Sequence, residues 1–187
     1  MTGFALAFNR LSPLIGPAVA DLEACLKVKD FAKGSFILKR SEICSKLYFL
    51  DSGLVKTSFF KEDREFIMRF FQENSFFSVL DSFTARTPSH FNIIALEATA
   101  VTYISQTDLE SLSRKHHCIE TAFRRLLAFA TTMLMKRVSE ILEENATEGY
   151  HRFLDENRAI FNRISLGDIS NYLGISQVSL SRIRGKA

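Results

Sequence analysis

Gln177, Val178, Ser181 and Arg182 are spaced to lie on one face of a short helix, with Arg184 and Lys186 continuing at its end. Those residue types suit a duplex groove: Gln and Arg bond base edges, Val touches a thymine methyl, and the terminal cations hold phosphates. With Ser176 at the helix start, they form a candidate nucleic-acid contact set. Charge points the same way. From Tyr150 onward six Lys and Arg face three acids, whereas the rest of the chain is balanced, so the net +3 resides wholly in the last fifth.

The stretch that must position this face is "LGDISNYLGISQVSLSRIRG", Leu166 to Gly185. It reads as two helices joined by a tight turn, with Ser165 and Ser176 as their caps. Gly174 takes the reversal, where positive φ costs glycine nothing. Ser170 is small where the helices approach, and Ile169, Leu173, Ile175, Leu180 and Ile183 make a miniature core. This is helix-turn-helix grammar. An earlier short helix, "HRFLDENRAIF", is expected after a break at Gly149.

Before it, from about Cys118 to Glu144, Ile119, Phe123, Leu126, Ala130 and Met133 alternate steps of four and three. Leu127, Leu134, Val138 and Ile141 widen that stripe. Such a helix would be about 39 Å long, more than a small barrel covers. A second copy of the chain is its expected partner, with part of the stripe left to packing within one chain.

From about Phe31 to Ile104 short runs rich in Ile, Val, Phe, Tyr and Thr alternate with turn residues. "GSFILKR", "KLYFLDSG", "LVKTSFFKED", "EFIMRFFQ", "FNIIALEA" and "AVTYIS" read as strands. Gly34, Asp51 to Gly53 and Lys61 to Asp63 supply turns. Regular strand spacing predicts a sandwich or rolled barrel, whose core takes most of the chain's 18 phenylalanines. Ahead of it, "SPLIGPAVADLEACLKV" reads as a helix capped at Ser12.

The order of these parts resembles the Crp–Fnr family of bacterial transcription regulators over nearly the whole chain, and in shape its short members typical of Bacteroidetes. The most specific stretches are "LYFLDSGLVK" and "ISNYLGISQVSLSRI". The resemblance implies an α+β fold in three parts. A cyclic-nucleotide-binding-like β-roll with flanking helices spans residues 1–117, a dimerisation helix 118–145, and a winged helix-turn-helix 146–187. It further implies a homodimer on a palindromic operator in double-stranded DNA, with RNA polymerase as a further partner. Gln177, Val178 and Arg182 fall where the family reads bases. Val178 replaces the glutamate common there, so the family's best-known operator is not assumed. With Ala187 two residues beyond Gly185, most of the wing is missing from this sequence, and weaker binding is expected.

Members that bind cyclic AMP carry a Gly-Glu pair and, about ten residues later, an Arg before Ser or Thr; the carboxylate holds the ribose and the guanidinium the phosphate. Aligned without gaps, those pairs become Ser78-Val79 and Ser89-His90. The cassette is degenerate, with Arg86 and His90 as its remaining candidate anion ligands. Cyclic AMP is not expected, no cofactor is expected, and the effector is open.

Other chemistries lack their residues. A cupin metal site needs several His and Glu on neighbouring strands, and the roll holds His90 alone. No nucleophile triad or paired carboxylate arrangement occurs, so an enzyme is not expected. Cys25, Cys44 and Cys118 are too few and too scattered for a disulfide framework or metal set, and are expected to be reduced, buried thiols. His116 and His117 read as the polar start of the long helix. No apolar run reaches the roughly 20 residues of a membrane span, which predicts a cytoplasmic protein. The competing reading is a dimeric ligand-binding or scaffold protein whose tail is a helical hairpin that does not bind DNA.

Overall fold

The computed structural model describes residues 1–185; Lys186, one of the candidate phosphate contacts, lies outside them. Two antiparallel four-stranded sheets face each other. In strand order the first holds β1 (Lys27–Phe31), β8 (Thr99–Ser105), β3 (Lys46–Ser52) and β6 (Phe76–Phe77). The second holds β2 (Phe36–Leu38), β7 (Asn92–Ala95), β4 (Val55–Lys61) and β5 (Arg64–Phe71). Leu38, Leu50, Val55, Ile93 and Val101 fill the space between them, as the alternation of the strands requires. Gly53 makes the expected turn at φ +102°, and a Cβ there would meet Thr99 Oγ1 at 2.5 Å and the Ala98 carbonyl oxygen at 2.8 Å. Only glycine fits.

The N-terminus departs from the sequence reading. Ser12 does not begin a helix; it closes one. Helix α1 (Gly3–Leu11) is capped by Thr2, and the Ser12 N–H donates to the Phe8 carbonyl. Phe4 and Phe8, one helical turn apart, bury themselves against Phe76 at centroid distances of 4.9 and 5.4 Å. Helix α2 (Ala18–Cys25) starts only after Pro17, and Leu26 turns the chain into β1. Helix α3 (Leu80–Ala85) interrupts the roll, and α4 (Gln106–Lys115) leaves it.

The long helix α5 (His117–Glu143) runs 27 residues. Its two halves differ. Ile119, Ala122 and Leu126 are buried with Phe4, Phe8 and Leu109 of the same chain, so the main predicted stripe begins as an intrachain seam. Beyond it the flanking line takes over: Leu134, Val138 and Ile141 are exposed, together with Phe129, Met135 and Leu142.

Helix α6 (Ala146–Glu156) begins with a capping box between Asn145 and Glu148. Gly149 lies inside this helix and is buried, where its missing side chain leaves room for Leu173, whose Cδ2 lies 3.4 Å from the would-be Cβ. The expected break at Gly149 is therefore a close approach between helices. A 3-10 turn (Phe161–Arg163) leads to α7 (Leu166–Leu173) and α8 (Gln177–Arg184). Among the described residues no helix is long and apolar enough to cross a membrane. The three cysteines are free; Cys44 is buried, but Cys25 and Cys118 are only half-buried.

Candidate nucleic-acid interface

Both predicted caps form. Ser165 Oγ accepts the Asp168 N–H at 3.0 Å, and Ser176 Oγ accepts the Ser179 N–H at 3.1 Å. Gly174 closes α7 at φ +70°, and the Ile175 N–H returns to the Ser170 carbonyl at 3.0 Å. Ser170 is 2% exposed, small enough to sit between the helices, and its hydroxyl donates to the Gly167 carbonyl. Ile169 and Leu180 are buried, with Leu173, Ile175 and Ile183 packed around them.

That packing leaves one face of α8 uncovered. Ser176, Gln177, Val178, Ser181, Arg182 and Arg184 are all exposed, and Val178 is 61% exposed. Val178, Ser181 and Arg182 share a face by their spacing of three and four. Among the described residues neither the Arg182 nor the Arg184 guanidinium has an acidic partner, in contrast to Arg152 and Arg163, which are both ion-paired. An exposed Val between a Gln and an unpaired Arg has no packing role, and it matches the apolar and polar contacts a base-pair edge offers.

The module is held in place by contacts the sequence reading missed. Leu54, just before β4, and Ile67 and Phe70 of β5 meet Tyr150, Phe153, Ile164 and Ile169 in one buried cluster. Phe70 lies 5.6 Å from Tyr172 and 6.0 Å from Phe153, centroid to centroid. Arg137 of α5 stacks 3.8 Å above the Tyr172 ring and donates to its carbonyl at 2.6 Å. Charges surround this apolar patch. Lys56 Nζ bonds Glu65 at 2.9 Å and Asp168 at 2.6 Å, and Arg163 pairs with both Glu73 and Glu97. The Arg163 guanidinium holds the Glu73 carboxyl down to about 2. In return Glu73 and Glu97 raise the Arg163 pKa above its ordinary value. Lys56 could have drawn attention in the sequence, since it stands among apolar residues of a central strand.

The degenerate cassette does not assemble into one site. Ser78 Oγ donates to the Lys46 carbonyl at 3.0 Å and lies 3.3 Å from Cys44 Sγ. Val79 is buried in the roll's core. Ser89 is 2% exposed and turned onto its own loop, donating to the Phe91 carbonyl and accepting the Phe91 N–H. Arg86 is exposed, stands at φ +58°, and donates to the Gln106 side chain of α4. His90 is exposed. Aromatic rings occupy the neighbouring interior: Tyr48 stacks on Phe77 at 5.0 Å, and Phe71 and Tyr103 lie within 6 Å of one or other ring. Burial pushes the Tyr48 phenol up, so it stays neutral. Among the described residues no group of three or more His, Cys, Asp or Glu could hold a metal ion.

Residues 28–116 match the family model of the cyclic nucleotide-binding domain. Solved structures cover far more of the chain. FixK2 from Bradyrhizobium japonicum superposes with a TM-score of 0.76 at 18% identity, over 86% of this chain and 83% of that one. The c-di-GMP responsive global regulator CLP of Xanthomonas campestris gives 0.74 at 17% identity, over 90% and 89%. The catabolite activator protein of Thermus thermophilus gives 0.61 at 15% identity, over 96% and 85%. No curated protein sequence matches the chain. In fold the chain is like these solved structures: a roll matching the cyclic nucleotide-binding domain, joined by a long helix to a pair of short helices, α7 and α8, in helix-turn-helix order.

Proposed function

We propose that the protein is a DNA-binding transcription regulator that works as a homodimer on a palindromic operator. The uncovered face of α8 carries this reading: six exposed candidate contacts, from the cap Ser176 to Arg184, on a helix whose other side packs Leu180 and Ile183 into the module. The dimer is read from a line of residues on α5 that runs from half-buried Leu127 into the exposed part of the helix. Leu127, Thr131, Leu134, Val138 and Ile141 repeat steps of four and three, with Leu, Leu and Ile at the d-type positions and β-branched Thr and Val at the a-type positions. That choice favours two parallel strands. A parallel pair of α5 helices relates two α8 helices by a two-fold axis, which is the symmetry of a palindrome. The site of action is then the cytoplasm, with RNA polymerase as the further partner.

Ligand gating differs from that of the cyclic-AMP-binding members, because no guanidinium or carboxylate of the cassette faces a common point. A regulator of this fold need not answer to cyclic AMP: the Xanthomonas protein is c-di-GMP responsive. Selection from a random duplex library at physiological salt tests the proposal. Enrichment of an inverted repeat with half-sites about 34 Å apart is expected. An unenriched pool overturns it.

A further inference from the structure

The Gln177 side chain of the exposed α8 face lies beside the first turn of α7. Gln177 begins α8 and is exposed, and its amide lies against the start of α7. A Cβ built on Gly167 in the first turn of α7 would lie 3.1 Å from Gln177 Nε2 and 3.7 Å from Ser165 Oγ. The amide of Gln177 therefore rests over the bare backbone of Gly167, in a notch that any other residue would fill. Gly167 has no conformational reason to be glycine: it lies in the first turn of a helix, which other residues enter readily. It is also not among the glycines with positive φ.

We infer that Gly167 is a positioning residue for base recognition. It seats the Gln177 amide beside the start of α7, in one orientation, ready to make a two-point contact with an adenine edge. This rests on the DNA-binding reading and adds to it the residue that sets selectivity at one base pair. The physical reason is preorganisation. A glutamine has three side-chain torsions, and ordering them on binding subtracts from affinity unless they are already restricted. A methyl group at 167 touches only the far end of a flexible side chain, so the fold absorbs it at little cost while the amide is displaced. The expected signature is a change of preference without a loss of stability.

The test is a double-mutant cycle on the full chain, read by selection from random duplexes and by binding to the enriched site and its single-base variants. Gln177→Ala should lower the preference for adenine at one position by about fivefold or more, the smaller end of what a two-point base contact provides. Gly167→Ala should lower preference at that same position, by less, and Gly167→Leu by as much as Gln177→Ala. Preferences elsewhere and the salt dependence should not move, and the thermal midpoint of Gly167→Ala should hold or rise. In the Gln177→Ala background the Gly167 substitutions should have no further effect. If they change selectivity equally with or without Gln177, or shift every position alike, the assignment is overturned. If the wild type enriches no sequence at all, it is the DNA-binding reading that fails.

Discussion

Lys56 on β4 reaches Asp168 in the first turn of α7, Nζ to Oδ1 at 2.6 Å, across 112 residues of sequence. The same ammonium bonds Glu65 at 2.9 Å, and the Lys56 side chain is 9% exposed. One cation thus ties a sheet of the roll to α7, the helix that precedes α8. Burying a charge is costly unless it is paired, so removing the lysine differs from removing one acid. Lys56→Met leaves Glu65 and Asp168 facing each other without a cation and should cost about 3 kcal/mol. Asp168→Asn leaves Lys56 with Glu65 and should cost about 1 kcal/mol. Urea denaturation separates the two; equal costs would mean that the pair is solvated and contributes little.

Acid should undo a second tie. Glu73 in the folded protein titrates at about 2 instead of 4.5, chiefly because Arg163 donates to it. A depressed carboxylate adds stability above its unfolded pKa and loses it as pH falls through the folded one. The contribution of Glu73 is complete above about 4.5 and disappears toward 2. Arg163→Gln should move acid unfolding to higher pH, and with no tryptophan in the chain circular dichroism is the suitable probe. Coincident acid transitions in the two proteins would contradict this.

Two leucines a little over two turns apart on α5 should behave oppositely. Leu126 is buried in its own chain and Leu134 is 52% exposed. Leu126→Ala should destabilise the protomer by about 2 to 4 kcal/mol. Leu134→Glu should leave it folded and turn the dimer into a monomer that no longer prefers inverted repeats. Light scattering at a protein concentration of tens of micromolar, ample for a dimer with a Kd near 1 μM, decides the matter. A monomeric wild type under those conditions would remove the symmetry argument.

The helix-turn-helix was legible because its signals are local: Ser165, Ser170, Gly174 and Ser176 each act within a few residues of their own position. The strands of the roll were legible by alternation, except where alternation fails. β1 is exposed at Lys27, Val28, Lys29 and Asp30, so it carries no two-residue pattern, and it follows α2 without a turn residue. Helix α1 shows only Phe4 and Phe8 as a signal, too short a period to stand out. Gly149 was misread because glycine marks either a turn or a close approach, and only Leu173 tells which. The stripe on α5 has two edges, and which edge faces inward depends on α1. The bonds of Lys56 and Arg163 join residues that no local pattern connects.

Cyclic AMP should not bind this protein in the manner of the family's cyclic-AMP-binding members. A cyclic phosphate taken into the roll must meet a cation, because an unpaired buried anion costs several kcal/mol. Where the family's arginine would stand, Ser89 is buried and engaged with Phe91. In place of the carboxylate that would hold the ribose, Val79 packs in the core. Arg86, the nearest guanidinium in the sequence of the cassette, already donates to Gln106. Losing one charge-assisted bond costs about 1.5 to 3 kcal/mol, so losing both anchors weakens a micromolar site toward millimolar. Titration calorimetry with cyclic AMP and cyclic GMP should give no saturable heat at micromolar ligand, and DNA binding should proceed without either. Saturable micromolar binding would refute this. The double substitution Arg86→Ala, His90→Ala would then show whether Arg86 had left Gln106 for the phosphate: affinity lost with the pair places the phosphate at Arg86, and affinity retained places the ligand elsewhere in the roll.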